Sequence, residues 1–342
     1  MGCRWHFHRR SIAGTKNPGG GAGMIPLNWL SEAAERIAPY IRQTPLTYDP
    51  EYDLYLKWEN RQVTGSFKAR GAFNKVLTLE DWERAAGLLA ASAGNHGQGV
   101  ALAGQTFGVP VTIYASEQAV PAKIEAMRAL GADVILVAGG YGEAEKAGLA
   151  RAAKSEATWV SPYNDGHLIA GQGTMGLEII RQLQDQAQFQ MGVSTWVVPA
   201  SGGGLISGVG ASLSNLANRP KLVGVQAENS AFTHALFHTG SQEGIVEYPT
   251  LADGLSGPVE PGSITIPLMR QYVDDFVLVS EVEIRQAMIF AWQRYAERIE
   301  GAAAAALAAV LSGKVAAPAV VIISGGNVQP QTHAQVIAGE AT

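Results

Sequence analysis

From Leu54 onward the chain alternates short, almost wholly apolar runs with longer helical stretches, and this constrains its fold more than any other feature. The runs DLYLKWE (53–59), GLLAAS (87–92), VPVTIYA (109–115), ADVILVA (132–138), STWVVPA (194–200), KLVGVQA (221–227), FVLVS (276–280) and AVVIIS (319–324) predict strands. Several lack the polar alternation of a strand with one wet face, so they belong in sheets covered on both sides. Helices are expected around 67–78, 96–107, 121–130, 141–155, 170–185, 205–216, 281–298 and 301–311. Buried strands separated by helices pair in parallel, because each helical crossover returns the chain to the same end of the sheet. The prediction is an α/β protein with an open, mostly parallel sheet. Such sheets bind ligands at the carboxyl ends of their strands. Glycine-rich turns follow strands here at 94–99, 201–204 and 325–326.

Composition narrows the class. Of 342 residues, 47% are hydrophobic and 16% charged, which describes a packed chain rather than a disordered one. A net charge of −5 offers no attraction to nucleic acid. No apolar stretch is long and uninterrupted enough to span a bilayer, so no membrane association is expected. Cys3 is the only cysteine, which rules out an internal disulfide or a cysteine metal cluster and suits a cytoplasmic location. Residues 1–24 are basic and glycine-rich, and the first acidic residue is Glu32. They lack the apolar core of a signal peptide. They are expected to be a disordered extension, with Met24 as the working start.

Four segments carry chemistry. In TGSFKARGAFNKVLTL (64–79), Ser66 is a candidate N-cap that puts Lys68 in the first helical turn. The positive end of the helix dipole and burial both favour a neutral amine, the form that Schiff-base chemistry requires. An isolated lysine is more often solvated, so this reading leans on context. In STWVVPASGGGLISGVGASL (194–213), a strand runs into Ser201-Gly202-Gly203-Gly204 and a helix opens at Leu205. Free backbone N–H groups at a helix N-terminus make a cup for an anion. A dinucleotide fingerprint fits in part: Gly202 and Gly204 supply two glycines, Ser207 takes the third place, and Glu228 sits near the ribose-binding position. Alone, the segment divides among phosphate cup, dinucleotide loop and structural turn.

The third segment, AASAGNHGQGVALAG (90–104), presents Ser92, Asn95 and His96 ahead of a helix. These are donors for a substrate carboxylate, although taken alone the segment favours a capping Asn95 beside a solvated His96. The fourth, AVVIISGGNV (319–328), ends a strand on Ser324, whose hydroxyl suits a ring nitrogen or simply a tight turn.

Together LYLKWENRQVTGSFKARGA, AASAGNHGQGVALA, IAGQGTMGLEI, VVPASGGGLISGV, ADGLS, VDDFVLVSEVEI, GAAAAAL and VVIISGGN run in order from Thr44 to Asn327. This series resembles the fold-type II pyridoxal-phosphate enzymes, most closely the threonine/serine dehydratase and serine racemase branch. The resemblance weighs against a nicotinamide-dependent dehydrogenase. It implies two open, mostly parallel α/β domains: 25–84 with 164–342 as a large cofactor-binding domain, and 85–163 as a small mobile one. It implies pyridoxal 5'-phosphate held by Lys68 as a Schiff base, with Lys68 also moving the substrate's Cα proton. Phe67 would pack on the pyridine ring, Asn95 would bond the phenolic oxygen, and Ser324 would meet the ring nitrogen. Backbone amides of Ser201, Gly202, Gly203, Gly204 and Leu205 would hold the phosphate. Ser92, Asn95 and His96, with the Ala93 backbone, would receive the substrate carboxylate.

The implied reaction is β-elimination from L-threonine or L-serine to a 2-oxo acid and ammonia, in a homodimer or homotetramer. A hydroxyl partner such as Ser324 leaves the pyridine ring a weaker electron sink, which favours elimination; the cofactor carries the chemistry and the protein selects the outcome. The alternative inside the family is a lyase for a related hydroxy or diamino acid, for example in ectoine breakdown. Serine racemase ranks lower, because Ala93 stands where racemases of this branch place a serine. At the family's divalent cation site Glu228 matches, but His234 replaces the expected aspartate and suits magnesium poorly. The chain stops soon after SGGN, so an appended regulatory domain is not expected.

Overall fold

The computed structural model describes residues 24–185 and 193–339. Of the expected N-terminal extension, only Met24 lies among them. Among these residues ten strands form two sheets, in keeping with two mostly parallel α/β domains. In the larger sheet β1 (Leu46–Asp49) and β2 (Leu54–Trp58) pair antiparallel. Strands β10 (Ala319–Ile323), β7 (Thr195–Pro199), β8 (Lys221–Ala227) and β9 (Asp275–Val279) extend β2 in parallel, in the order β1-β2-β10-β7-β8-β9. The smaller sheet is wholly parallel, in the order β5 (Asp133–Val137), β4 (Val111–Ser116), β3 (Leu88–Ala91), β6 (Thr158–Trp159).

The strand residues explain the layering. Leu54, Leu56 and Trp58 face one core and Tyr55 faces the other, as the two-residue period of a strand requires. Every residue of β2, β7 and β10 is buried, the signature of a sheet covered on both faces. One cover is α11 (Glu281–Tyr295) with α12 (Gly301–Leu311), the latter mostly alanine and packed against β7, β8, β9 and β10. The opposite face carries α7 (Gly166–Asp185), α8 (Gly204–Leu213) and α10 (Thr265–Tyr272). Helix α2 (Lys68–Leu77) packs between α7 and α4 (Asn95–Phe107), and so joins the two sheets. The smaller sheet is flanked by α4, α5 (Pro121–Ala129) and α6 (Tyr141–Ala152).

Two approaches are close enough to need glycine. A Cβ on Gly173 of α7 would lie 2.7 Å from the Gly208 carbonyl oxygen of α8, and one on Gly208 would lie 2.5 Å from the Ile169 carbonyl oxygen. Gly99 of α4 would bring a Cβ within 3.2 Å of the Lys68 backbone. The first approach sets α8 flush against α7, and the second lets the helix that carries Lys68 sit close against α4.

The expected strands and helices all occur, with end shifts of a few residues. Helix α7 starts earlier than the apolar pattern suggests, because the Asp165 carboxylate accepts the Leu168 N–H at 2.9 Å and caps the added turn. Sequence reading passed over β1, β6, α1 (Leu27–Ile37), α3 (Asp81–Ala86), α9 (Phe232–Thr239), α10 and α13 (Pro330–Ala338). Most of these are too short to display a period. Helix α1 is the exception: Leu30, Ala33 and Ile37 form a legible buried stripe.

Candidate active site

Parallel pairing brings the carboxyl ends of β2, β10 and β7 to one edge of the larger sheet, where the chain continues into Ser66–Lys68, Ser324–Gly326 and Ser201–Gly204. The end of β3 brings Ser92–His96 from the smaller sheet. All four sequence-predicted segments therefore meet at the cleft between the sheets.

Two of them are sewn together through the backbone. The Phe67 N–H donates to the Ser324 carbonyl at 3.0 Å, and the Gly326 N–H donates to the Gly65 carbonyl at 2.9 Å. Ser66 bridges to Gly325. Ser66 is thus not the N-cap its position suggested: Phe67 occupies that place without a side-chain bond, and the buried Ser66 hydroxyl has no partner among the described residues. The bridge to Gly325 has captured the residue. Lys68 does open the helix as expected.

The Lys68 side chain is partly open to the cleft, while its amine lies deep among protein atoms. Burial pushes its pKa down to about 8, opposed by the nearby Glu300 carboxyl. Nζ donates to the Pro162 carbonyl at 2.9 Å and lies 5.2 Å from the Phe67 ring centroid. Among the described residues no carboxylate pairs with it.

Helix α2 is held by buried charge. Arg70 pairs with Glu59 at 2.7 Å and with Glu178 at 2.9 Å, and Lys57 also pairs with Glu178. Four ionic groups under one turn fix the direction in which Lys68 projects.

The glycine loop crosses Tyr163, the residue after Pro162. A Cβ on Gly202 would collide with the Tyr163 ring, and one on Gly204 would lie 2.9 Å from the Tyr163 Cα. Gly203 has φ +83°, a conformation that side chains strain. Within the described residues the backbone N–H groups of Ser201 through Ile206 donate to no protein acceptor, and they gather at the start of α8. Free N–H groups at a helix start are the geometry an anion cup requires, and the helix opens at Gly204 rather than Leu205. Ser324 is buried, and no protein group among the described residues engages its hydroxyl.

On the other wall, the Ser92 hydroxyl accepts the Gly94 N–H at 3.1 Å. Gly94, not Asn95, is the N-cap of α4. The N–H groups of Ala93, Asn95, His96 and Gly97 have no protein acceptor among the described residues. His96 is buried, with Nε2 2.9 Å from the Val160 carbonyl oxygen. Burial, aided by Lys68, pushes its pKa down to about 3, so the ring is neutral at working pH. That geometry makes Nε2 the protonated nitrogen and leaves Nδ1 as a buried acceptor. What His96 offers an anion is its backbone N–H rather than its ring.

Asn95 reveals a group that sequence reading missed. Its Nδ2 reaches both carboxyl oxygens of Glu300, at 2.8 and 3.0 Å, and its Oδ1 accepts from Asn327 Nδ2 at 2.7 Å. Glu300 is the N-cap of α12, separated by Gly301 from its alanine run. The available signal was a lone carboxylate at the mouth of an apolar helix that has no polar face. Glu228 stands at the end of β8 with Lys314 3.9 Å away, and no group of three metal-ligating side chains gathers there or elsewhere among the described residues.

Comparison with known proteins agrees with this geometry. The family description "Pyridoxal-phosphate dependent enzyme" matches residues 35–326. An L-threonine ammonia-lyase of Thermotoga maritima is 43% identical over 316 residues, covering 89% of this chain and 76% of that protein. A catabolic L-threonine dehydratase of Staphylococcus aureus is 39% identical over 323 residues, covering 90% of each. Among solved structures, a T.th. threonine deaminase superposes with TM-score 0.80 at 34% identity, covering 89% of this chain and 98% of that one. Maize serine racemase superposes with TM-score 0.81 at 30% identity, covering 93% and 98%.

Proposed function

The chain belongs to the family of pyridoxal-phosphate dependent enzymes, and we propose that it is an ammonia-lyase converting L-threonine or L-serine to a 2-oxo acid and ammonia. The observation that carries the reading is Lys68, a desolvated amine that among the described residues has no ion-pair partner and faces unclaimed backbone N–H groups across one cleft.

The residues present fit the cofactor. The N–H groups of Ser201, Gly202, Gly203, Gly204 and Leu205 would hold its phosphate, since an anion is what such a cup lacks. Lys68 would hold its carbonyl carbon as a Schiff base. The free hydroxyl of Ser324 would meet the ring nitrogen, Asn95 the phenolic oxygen, and Phe67 one face of the ring. When bound, the cofactor withdraws electrons from the substrate Cα and so acidifies its proton.

The protein supplies position and proton transfer. Ser92, with the N–H groups of Ala93, Asn95 and His96, would grip the substrate carboxylate. That grip orients the Cα–H toward Lys68, whose neutral amine removes the proton. Ala93 has no group that could return a proton from the opposite side, so loss of the β-hydroxyl is preferred over inversion. The partner is a small-molecule amino acid. We assign the enzyme to the cytoplasm, as a homodimer or homotetramer, which gel filtration with light scattering would check.

The test is an absorbance spectrum of the purified protein before and after L-threonine or L-serine, with 2-oxo acid and ammonia assayed together. A visible cofactor band absent in Lys68→Ala, plus equal yields of both products, is expected. No band after reconstitution with the cofactor would sink the reading.

A further inference from the structure

The Glu300 carboxyl has no task in the chemistry just described. It is 8% exposed and stands at the N-cap of α12, yet it does not cap its own helix. Its oxygens instead accept from Asn95 Nδ2 and face the Asn327 backbone N–H. The place is built for it, since a Cβ on Gly325 would collide with Oε1. Among the described residues no cation pairs with it, and burying a carboxylate without a counter-ion is destabilising. Stability does not explain its presence.

The hydrogen bonds around Asn95 do. Asn327 Nδ2 donates both to Asn95 Oδ1 at 2.7 Å and to the Thr64 carbonyl at 2.8 Å, so both of its hydrogens are engaged. Asn95 Oδ1 is therefore occupied, and its Nδ2 must point to an acceptor. An ionised carboxylate accepts through both oxygens, whereas a protonated one turns an oxygen into an O–H donor and accepts more weakly from the Asn95 amine and the Asn327 backbone N–H. Nδ2 carries two hydrogens; one serves Glu300 and the other remains.

We propose that Glu300 is a positioning residue: its carboxylate locks the Asn95 amide so that the remaining N–H is presented to the phenolic oxygen of the cofactor. This rests on the assignment of Asn95 as a cofactor ligand. The lock has a pH dependence. Burial holds Glu300 up at about 7; Asp253 adds to the rise, and Lys123, paired with Asp253 at 3.0 Å, opposes it. Lys68 on α2 is the other charged neighbour. A raised carboxyl pKa means that the lock is present above about pH 7 and loosens as pH falls through that value.

The experiment uses the holoenzyme: a pH titration of the visible cofactor band and the cofactor dissociation constant, for wild type, Glu300→Gln, Asn95→Ala and the double variant. Glu300→Gln keeps the shape but replaces an acceptor with a donor. It is expected to remove the spectral step near pH 7 and weaken cofactor binding about tenfold. The double variant is expected to be no worse than Asn95→Ala, because Glu300 acts through Asn95. Additive losses, or a wild-type titration in correctly folded Glu300→Gln, would overturn the proposal. If that variant does not fold, Glu300→Asp decides: retention of the step supports the lock, and its loss with unchanged cofactor affinity overturns it. Absence of the band in wild type would overturn the cofactor reading itself, and this proposal with it.

Discussion

At Lys68, burial strips the ammonium of water and holds its pKa at about 8. Roughly a tenth of such a lysine is neutral at pH 7, against roughly four in ten thousand for an ordinary one. The neutral amine is the nucleophile, so cofactor capture by the apoprotein is expected to accelerate with pH and level off above about 8. Stopped-flow absorbance checks this, and a rate still climbing at pH 10 would put Lys68 in solvent. Arg70, two residues on, is fully buried between Glu59 and Glu178. Arg70→Met would leave Glu59 buried without its bidentate partner, and we expect a loss of about 3–5 kcal/mol in urea unfolding. Lys68 and Ser324 were legible because each sits in a local motif. The bonds Asn95–Glu300 and Asn95–Asn327 were not, because they join residues 205 and 232 positions apart.

Among the elements, α7 and α8 show how packing places chemistry. Their crossing at Gly173 and Gly208 brings backbone against backbone, and α8 carries the N–H cup at its start. Gly208→Ala would press a methyl group onto the Ile169 carbonyl and push α8 away from α7. We expect a destabilisation of about 1–3 kcal/mol by thermal unfolding, together with weaker binding of inorganic phosphate and of the cofactor. Unchanged phosphate affinity in a destabilised variant would separate the crossing from the cup. The long elements were legible because apolar runs and helical periods survive without tertiary context. Ser66 misled because its capping preference is local, while the bridge to Gly325 comes from the far end of the chain.

For the whole molecule, the two sheets leave the site in the cleft between them. The four-stranded unit lies within the 85–163 segment expected to move, and we propose that it closes over the substrate. Lys123 of α5 reaches Asp253 across the cleft, with the aspartate side chain 66% exposed. Exposed pairs of this kind contribute about 0–1 kcal/mol, little enough to be remade in each cycle. Small-angle scattering is expected to show a smaller radius of gyration on adding L-serine to the holoenzyme. Identical domain positions in free and substrate-bound crystals would count against closure.

The order of buried strands, the glycine turns behind them and the lysine at a helix start were determined by the chain itself, because periodicity and turn chemistry act over a few residues. The larger sheet shows what lay beyond that reach. Strands β2 and β10 are neighbours there although they lie at opposite ends of the chain, so the contact of Phe67 with Ser324 exists only once the sheet has formed. The depth that lowers the Lys68 pKa, the turning of His96 onto Val160 and the Glu300 carboxyl behind Asn95 are likewise tertiary decisions. Each depends on which distant atoms exclude water or supply a hydrogen bond, and local sequence carries no record of that.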